Sequence, residues 1–349
     1  MKVASNNPDR RSLEEDDELF RRQQLLIRTL RAQPQLGKFV KSLTWTHRTW
    51  PDGPGEDDCL KEGPTWAAFK TLRNIEKLDF CSMVSRREIH APPPLFSSAK
   101  WISIGGQMSY ALATSILHSV DPSKITYLEL DNLQDLGQIR KHKAIPLDQD
   151  LSKLRETIYP DRSPKVKHPG SMRDHFRYLE GKCTALRTLV MRSVGQDFYR
   201  DWLWSAVHDE KRYSEWARFI DSTGSTLQNL HLEQGLTQED LNQHGCASYF
   251  LRFPRQRGGR PMDRRFIEFI LPVLLQGPWP KLRALDIRGI GGRVQNCHRR
   301  GCSDEVFSDI ESAEFRLKEA LGPGISVSWE REASRTFFIR LWASLYYEP

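Results

Sequence analysis

A curved parallel β-sheet with helices on its convex side, wound as an irregular α/β solenoid, is the fold class predicted by three observations. A hexamer pattern, L-x-x-L-x-L, recurs along the chain. Amphipathic helical stretches lie between its copies. The length, 349 residues, leaves room for many such units in one elongated body.

The clearest copies are IEKLDF (75–80), ITYLEL (125–130), LRTLVM (186–191), LQNLHL (227–232) and LRALDI (282–287). VKSLTW (40–45), AKWISI (99–104) and GISVSW (324–329) extend the series with poorer matches. The last two apolar positions are two apart and point to one face of a strand, while the first turns in from the preceding loop. A single strand of this kind cannot bury that face. Stacked parallel copies can, each shielded by a helix or irregular segment. This is the strand portion of a leucine-rich repeat. Regular repeats run about 20 to 29 residues. Only the steps from Leu78 to Ile102 and from Ile102 to Leu128, 24 and 26 residues, fall in that window, so the array is degenerate and carries insertions.

The elements follow in chain order. Residues 1–16 read as a polar, disordered tail, and 17–349 as one repeat domain. DDELFRRQQLLIRTLRAQP predicts a first helix with Leu19, Leu26, Ile27 and Leu30 on one face. Asp16, Asp17 and Glu18 sit in its expected first turn, Arg28 and Arg31 in its last, and Pro34 ends it. Ser12 and Glu15 have capping-box spacing just upstream. After the strand at 40–45, residues 47–64 are Pro/Gly-rich and acidic and read as a surface loop. MSYALATSILHSVDP predicts a second helix. Residues 134–180 are polar and basic with scattered Pro, and read as a long loop with one or two short helices. YSEWARFIDSTG, with Trp216, Phe219 and Ile220 before Gly224, predicts a third helix. A further insertion is expected near 240–262. RRFIEFILPVLLQGP predicts a fourth helix, kinked at Pro272 and ended by Gly277 and Pro278. DEVFSDIESAEFRLKEALGPG predicts a fifth, with Phe307, Ile310, Leu317 and Leu321 aligned. Strand, helix, strand in succession implies a parallel sheet with right-handed crossovers.

The phrases LRAQPQLGKFVKSLTW, GGQMSYALATSIL, STLQNLHLEQG and WPKLRALDIRGI together resemble the leucine-rich-repeat-like region of fungal F-box proteins, over roughly residues 20 to 330. The resemblance implies the substrate-recognition part of an SCF ubiquitin ligase, which holds a target near the enzyme that modifies it. Nothing in residues 1–38 matches the Leu-Pro-opening, Leu/Ile-rich F-box that docks on a Skp-type adaptor, so adaptor binding stays open.

Composition narrows the class further. A mean hydropathy of -0.59 and the absence of an apolar run near 20 residues argue against a membrane-spanning chain. The first 18 residues hold no apolar h-region, no N-glycosylation sequon occurs, and six cysteines spread over the chain form no disulfide framework. These point to a reduced cytoplasmic or nuclear setting. The excess of 52 basic over 45 acidic residues, net +7, is a weak pointer to acidic partners and does not by itself indicate nucleic acid.

Catalytic signatures are missing: G-x-S-x-G, H-E-x-x-H, the Walker A loop and the kinase motifs do not occur, and no enzyme activity or cofactor is expected. In IRGIGGRV, Gly289 and Gly291 fit a dinucleotide-binding motif, but Val294 stands where its third glycine belongs, so the row reads as a turn leaving a strand. Cys297, His298 and Cys302, with His244 and Cys246, lack a second metal-ligand pair of zinc spacing, and no metal site is assigned. Trp45, Trp101, Trp202, Trp216 and Trp329 fall in strand or helix patterns and are expected in the core. Trp50, Trp66 and Trp279 are expected at loops or boundaries.

Side chains flanking the inward apolar positions should project from the concave face. They are Lys77 and Asp79; Tyr127, Glu129 and Asp131; Thr188 and Arg192; Asn229, His231 and Glu233; Asp286 and Arg288. Their mixed sign and few aliphatics suit a non-enzymatic protein-binding surface, with a ubiquitination substrate as the implied partner. The alternative is a basic RNA- or chromatin-associated module using 252–266, where Arg252, Arg255, Arg257, Arg260, Arg264 and Arg265 surround a Gly-Gly pair.

Overall fold

Parallel pairing is what the repeat requires, and the computed structural model shows it. It describes residues 8–49, 62–84, 95–108, 110–135, 170–171, 175–193, 206–234, 263, 265–291 and 304–331. The strands are β1 (Ser42–Thr49), β2 (Lys77–Val84), β3 (Trp101–Met108), β4 (Tyr127–Asp135), β5 (Gly170–Ser171), β6 (Thr188–Ser193), β7 (Asn229–Gln234), β8 (Ala284–Arg288) and β9 (Ser326–Glu330). Eight of them lie side by side in the order β1-β2-β3-β4-β6-β7-β8-β9, every neighbouring pair parallel. Among the described residues only the two-residue β5 runs antiparallel, against β4. The strands follow chain order, with β1 and β9 at opposite ends of the path, as in an open leucine-rich-repeat-like solenoid.

The register reproduces the repeat residue by residue. Leu43, Leu78, Ile102, Leu128, Leu189, Leu230, Leu285 and Val327 form one row across the sheet. Trp45, Phe80, Ile104, Leu130, Met191, Leu232, Ile287 and Trp329 form the next apolar row. Both rows share one core with helix residues such as Ile27, Phe69, Leu117, Phe219, Leu274 and Leu317, which places the helices on the apolar side. Backbone bonds start each turn from β2 to β8 alike: the carbonyl at the second position of the hexamer accepts two N–H groups from the next strand. Glu76 and Lys77 donate to Lys41, Arg187 and Thr188 to Thr126, and Arg283 and Ala284 to Gln228.

The helices are α1 (Pro8–Ala32), α2 (Glu62–Phe69), α3 (Tyr110–Ser119), α4 (Ala206–Thr223), α5 (Leu271–Gln276) and α6 (Asp304–Leu321). α1 begins inside the segment expected to be a tail, upstream of the expected acidic first turn. It buries Ile27 and Leu30 and sends the Gln23 amide to the Thr46 carbonyl at 3.0 Å, satisfying an acceptor of the terminal strand β1. Before α5 the chain makes a π-helical turn, Phe266–Ile270, immediately upstream of Pro272. A proline cannot donate a backbone bond, and the widened turn is one way a helix absorbs the loss; the kink expected there takes this form.

Several expectations need correction. Residues 47–64 are not all loop: β1 runs on to Thr49, and α2 starts at Glu62. α2 is inconspicuous in the sequence because it has eight residues, opens Glu-Gly-Pro and has no long apolar stripe. In 134–180, β4 continues to Asp135, β5 adds a ladder rung, and Phe176 and Leu179 are core residues. Trp66 is buried rather than at a boundary, edge-on to Phe69 at 5.8 Å. Trp101 is not in the core; it stands half-buried on the opposite, polar face. Trp50, Trp202, residues 235–262 and the cysteines and histidines at 244–246 and 297–302 lie outside the described residues.

Candidate functional site

Alternation along each strand puts every expected surface residue on the face that carries no helix. Three rows cross it. The first runs Ser42, Lys77, Trp101, Tyr127, Thr188, Asn229, Ala284, Ser326. The second holds Asp79, Ser103, Glu129, Val190, His231 and Asp286, and the third Gly105, Asp131, Arg192, Glu233, Arg288 and Glu330. Gly105 is required where it stands, because a Cβ there would lie 2.9 Å from the Asp131 carbonyl oxygen.

In the first row Trp101 and Tyr127 stack with ring centroids 4.4 Å apart, and the Lys77 ammonium sits over the Trp101 ring at 4.2 Å. One face of the indole therefore meets a cation and the other an aromatic ring. The Tyr127 hydroxyl donates to Glu129 Oε2 at 2.7 Å and links this row to the second.

From there a chain of charged contacts crosses five strands. Arg192 pairs with Glu129 through Nη1, and its Nε donates to Glu233 Oε2 at 2.9 Å. His231 meets Glu233 through Nε2 at 3.1 Å and Asp286 through Nδ1 at 2.8 Å. Arg288 Nε donates to Asp286 Oδ2 at 2.9 Å, and its Nη1 lies 3.2 Å from Glu330. Burial opposes the charge on Arg192, but Glu129, Asp131 and Glu233 outweigh it and hold the guanidinium above its ordinary range. Arg288 behaves alike: burial opposes its charge, and Asp286 foremost and Glu330 hold it above the usual value. Glu233 has a fully buried side chain and Arg192 one only 15% exposed, so the middle of the network is shielded from solvent and paired from within. The accessible members are Lys77, Asn229 and Glu330, with Trp101, Tyr127, Asp286 and Arg288 half-buried.

The arrangement is better suited to contact than to proton transfer. His231 engages both ring nitrogens with carboxylates and leaves none to take a proton from a substrate. Cys183 is buried, which pushes its thiol up to about 12 and keeps it out of nucleophilic chemistry. Gly289 and Gly291 occupy left-handed turns leaving β8, with φ of 72° and 77°, and the amide of Gly291 donates to Asp263 at 2.9 Å. They are turn glycines, as the interrupted motif implies. Among the described residues no group of three or more His, Cys, Asp or Glu side chains is placed to hold a metal, and no helix is long and apolar enough to cross a membrane.

Sequence reasoning missed Trp101. Its copy of the hexamer, AKWISI, opens with a weak residue, and the eye takes the tryptophan as the apolar anchor. Aligned on Ile102 and Ile104, Trp101 falls in the same position as Lys77 and Tyr127. A second buried polar group, also unforeseen, sits on the helix side. Glu215 Oε1 accepts the Phe176 amide at 2.8 Å and lies 3.9 Å from His175 Nδ1. Arg212 is buried against the rings of Tyr213 and Trp216, 5.0 and 5.5 Å away. Of the Arg-rich segment, Phe266 is core and Arg265 pairs with Glu268 at 2.6 Å, while Arg252, Arg255, Arg257, Arg260 and Arg264 lie outside the described residues.

No protein-family model matches the chain, and no curated protein does. The parallel α/β sheet is thus the level at which relationship stands.

Proposed function

We propose that the chain is a non-enzymatic protein-recognition module and, following the resemblance of its motifs, the substrate-recognition part of an F-box-like ubiquitin-ligase receptor. The helix-free sheet face carries this reading. It offers accessible Lys77 and Asn229 beside half-buried Trp101 and Tyr127, over a lattice in which Arg192 and Arg288 pair with carboxylates. Tryptophan, tyrosine and arginine are the residue types that dominate binding energy at protein interfaces. Held in ladder register, they lose little freedom when a partner docks. The engagement of both His231 nitrogens favours binding over proton transfer.

The test uses the intact chain and its Trp101→Ala and Asn229→Arg variants as bait in a fungal lysate, with captured proteins quantified by mass spectrometry. The expected result is a partner retained by the wild type, lost from both variants, and accompanied by a Skp-type adaptor. Retention of every partner by both variants would remove the sheet face from the reading. Loss of the partner without any adaptor in the complex would keep recognition and remove the ligase.

A further inference from the structure

The second position of the hexamer forms a row of its own along the edge where the strands begin: Lys41, Glu76, Lys100, Thr126, Arg187, Gln228 and Arg283. In sheet order its cations fall on β1, β3, β6 and β8, every second strand, which at about 4.8 Å per strand spaces them roughly 10 Å apart. The double backbone bonds that open the repeats from β2 to β8 fix this spacing. All four cations are exposed. Lys41 pairs with Glu76 at 3.0 Å, and Glu76 is the one carboxylate of the row. Its pKa is held below the ordinary carboxylate range by Lys41 first, and by Lys100 as well. Lys100, Arg187 and Arg283 form no ion pair with a carboxylate among the described residues. Exposed Arg73 and Lys281 in the turns before β2 and β8 add to the same edge.

The carboxylates within the strands lie elsewhere, in the second and third rows, where Arg192 pairs with Glu129 and Glu233 and Arg288 with Asp286 and Glu330. The face is therefore graded along the strand direction, from open positive charge at the strand starts to partly paired carboxylates in the rows beyond. Unpaired cations in an ordered row raise the local concentration of anions and steer their approach.

We propose that this edge is a second interaction surface, distinct from the sheet face, that receives an acidic polypeptide segment of a partner protein lying across the strand starts. A nucleic-acid strand fits less well. Single-stranded nucleic acid binds basic grooves by stacking bases on open aromatic rings. Of the rings beside this edge, Trp101 already has Lys77 over it and Tyr127 stacked on it, and the exposed Phe39 has Lys38 over its ring at 4.9 Å.

Fluorescence anisotropy with the intact chain tests this, using a labelled oligoglutamate peptide and a labelled oligouridylate of equal charge as probes, each at low and physiological salt. The wild type should bind oligoglutamate the more tightly. Lys100→Glu, Arg187→Glu and Arg283→Glu should each weaken it about tenfold, since each turns a surface attraction into a repulsion. Arg316→Glu makes the same charge change at an exposed site on α6 and should leave the affinity unaltered. Equal loss in Arg316→Glu would reduce the effect to net charge and overturn the proposal. So would tighter binding of oligouridylate, or no binding of oligoglutamate. Lys100→Gln and Arg187→Gln, with smaller losses in the same order, guard against a charge-reversed variant that fails to fold. The sheet-face variant Trp101→Ala should keep oligoglutamate affinity, so either surface can fail without the other.

Discussion

At the residue scale the informative groups are the buried charges, whose cost is tolerable only while their partners stay in place. Arg192 holds Glu129 and Glu233. Arg192→Met leaves both carboxylates buried without their cation and should cost about 3 kcal/mol at neutral pH. Burial then raises their folded-state pKa above the unfolded one. Groups shifted that way stabilise at low pH and lose the contribution as pH rises, so the deficit should narrow in acid. Urea denaturation of both proteins at about pH 7 and about pH 5 reads this. His175 works in the opposite sense. Burial lowers it to about 3 from 6.5, outweighing the Glu215 carboxylate 3.9 Å away. Between those values the unfolded chain binds a proton that the folded chain refuses, so the wild type loses stability as pH falls below 6.5. His175→Asn should abolish that slope, which approaches roughly 1.4 kcal/mol per pH unit; an unchanged pH profile in the same denaturation series would contradict it. Neither pairing was legible in the sequence. Arg192 and Glu129 are 63 positions apart, and His175 and Glu215 come together only when α4 docks beside the turn before β6.

At the element scale, strands are easier to read than helix limits. The hexamer marks each strand by apolar residues two apart, and the ladder register keeps those positions in line through eight strands. Helix ends depend on weaker local preferences, and α1 extends to Pro8 through charged residues that carry no apolar stripe. α2 is too short to show a period. The exit from β8 has a sharper requirement. Gly289 has a φ of 72°, and a Cβ there would lie 1.6 Å from the carbonyl oxygen of Gln234. Gly289→Ala should therefore cost more than the roughly 1–2 kcal/mol that left-handed backbone alone asks of another residue. Thermal unfolding of that variant measures it, and a shift below about 2 °C would show that β7 and β8 yield at this crossing.

For the whole molecule, stability should depend on place in the array, because each repeat is held by its neighbours. Leu230 is 1% exposed between β6 and β8, and Leu230→Ala should cost about 3 kcal/mol. Val327 occupies the same row on the terminal strand β9 and is half-buried, so Val327→Ala should cost about 1 kcal/mol. Equal shifts in denaturation midpoint would contradict the one-dimensional account. The sequence by itself determined the repeat, the parallel sheet, the apolar rows and the roster of polar side chains opposite them, because a two-residue period is local and survives insertions of any length. Tertiary structure decided which polar residues pair, that Trp101 leaves the core to stack on Tyr127, and that the cations at the second hexamer position line one edge. Those facts depend on which strand lies beside which and in what register. Both are set by burying the two apolar rows against the helices, a global condition that no single segment states.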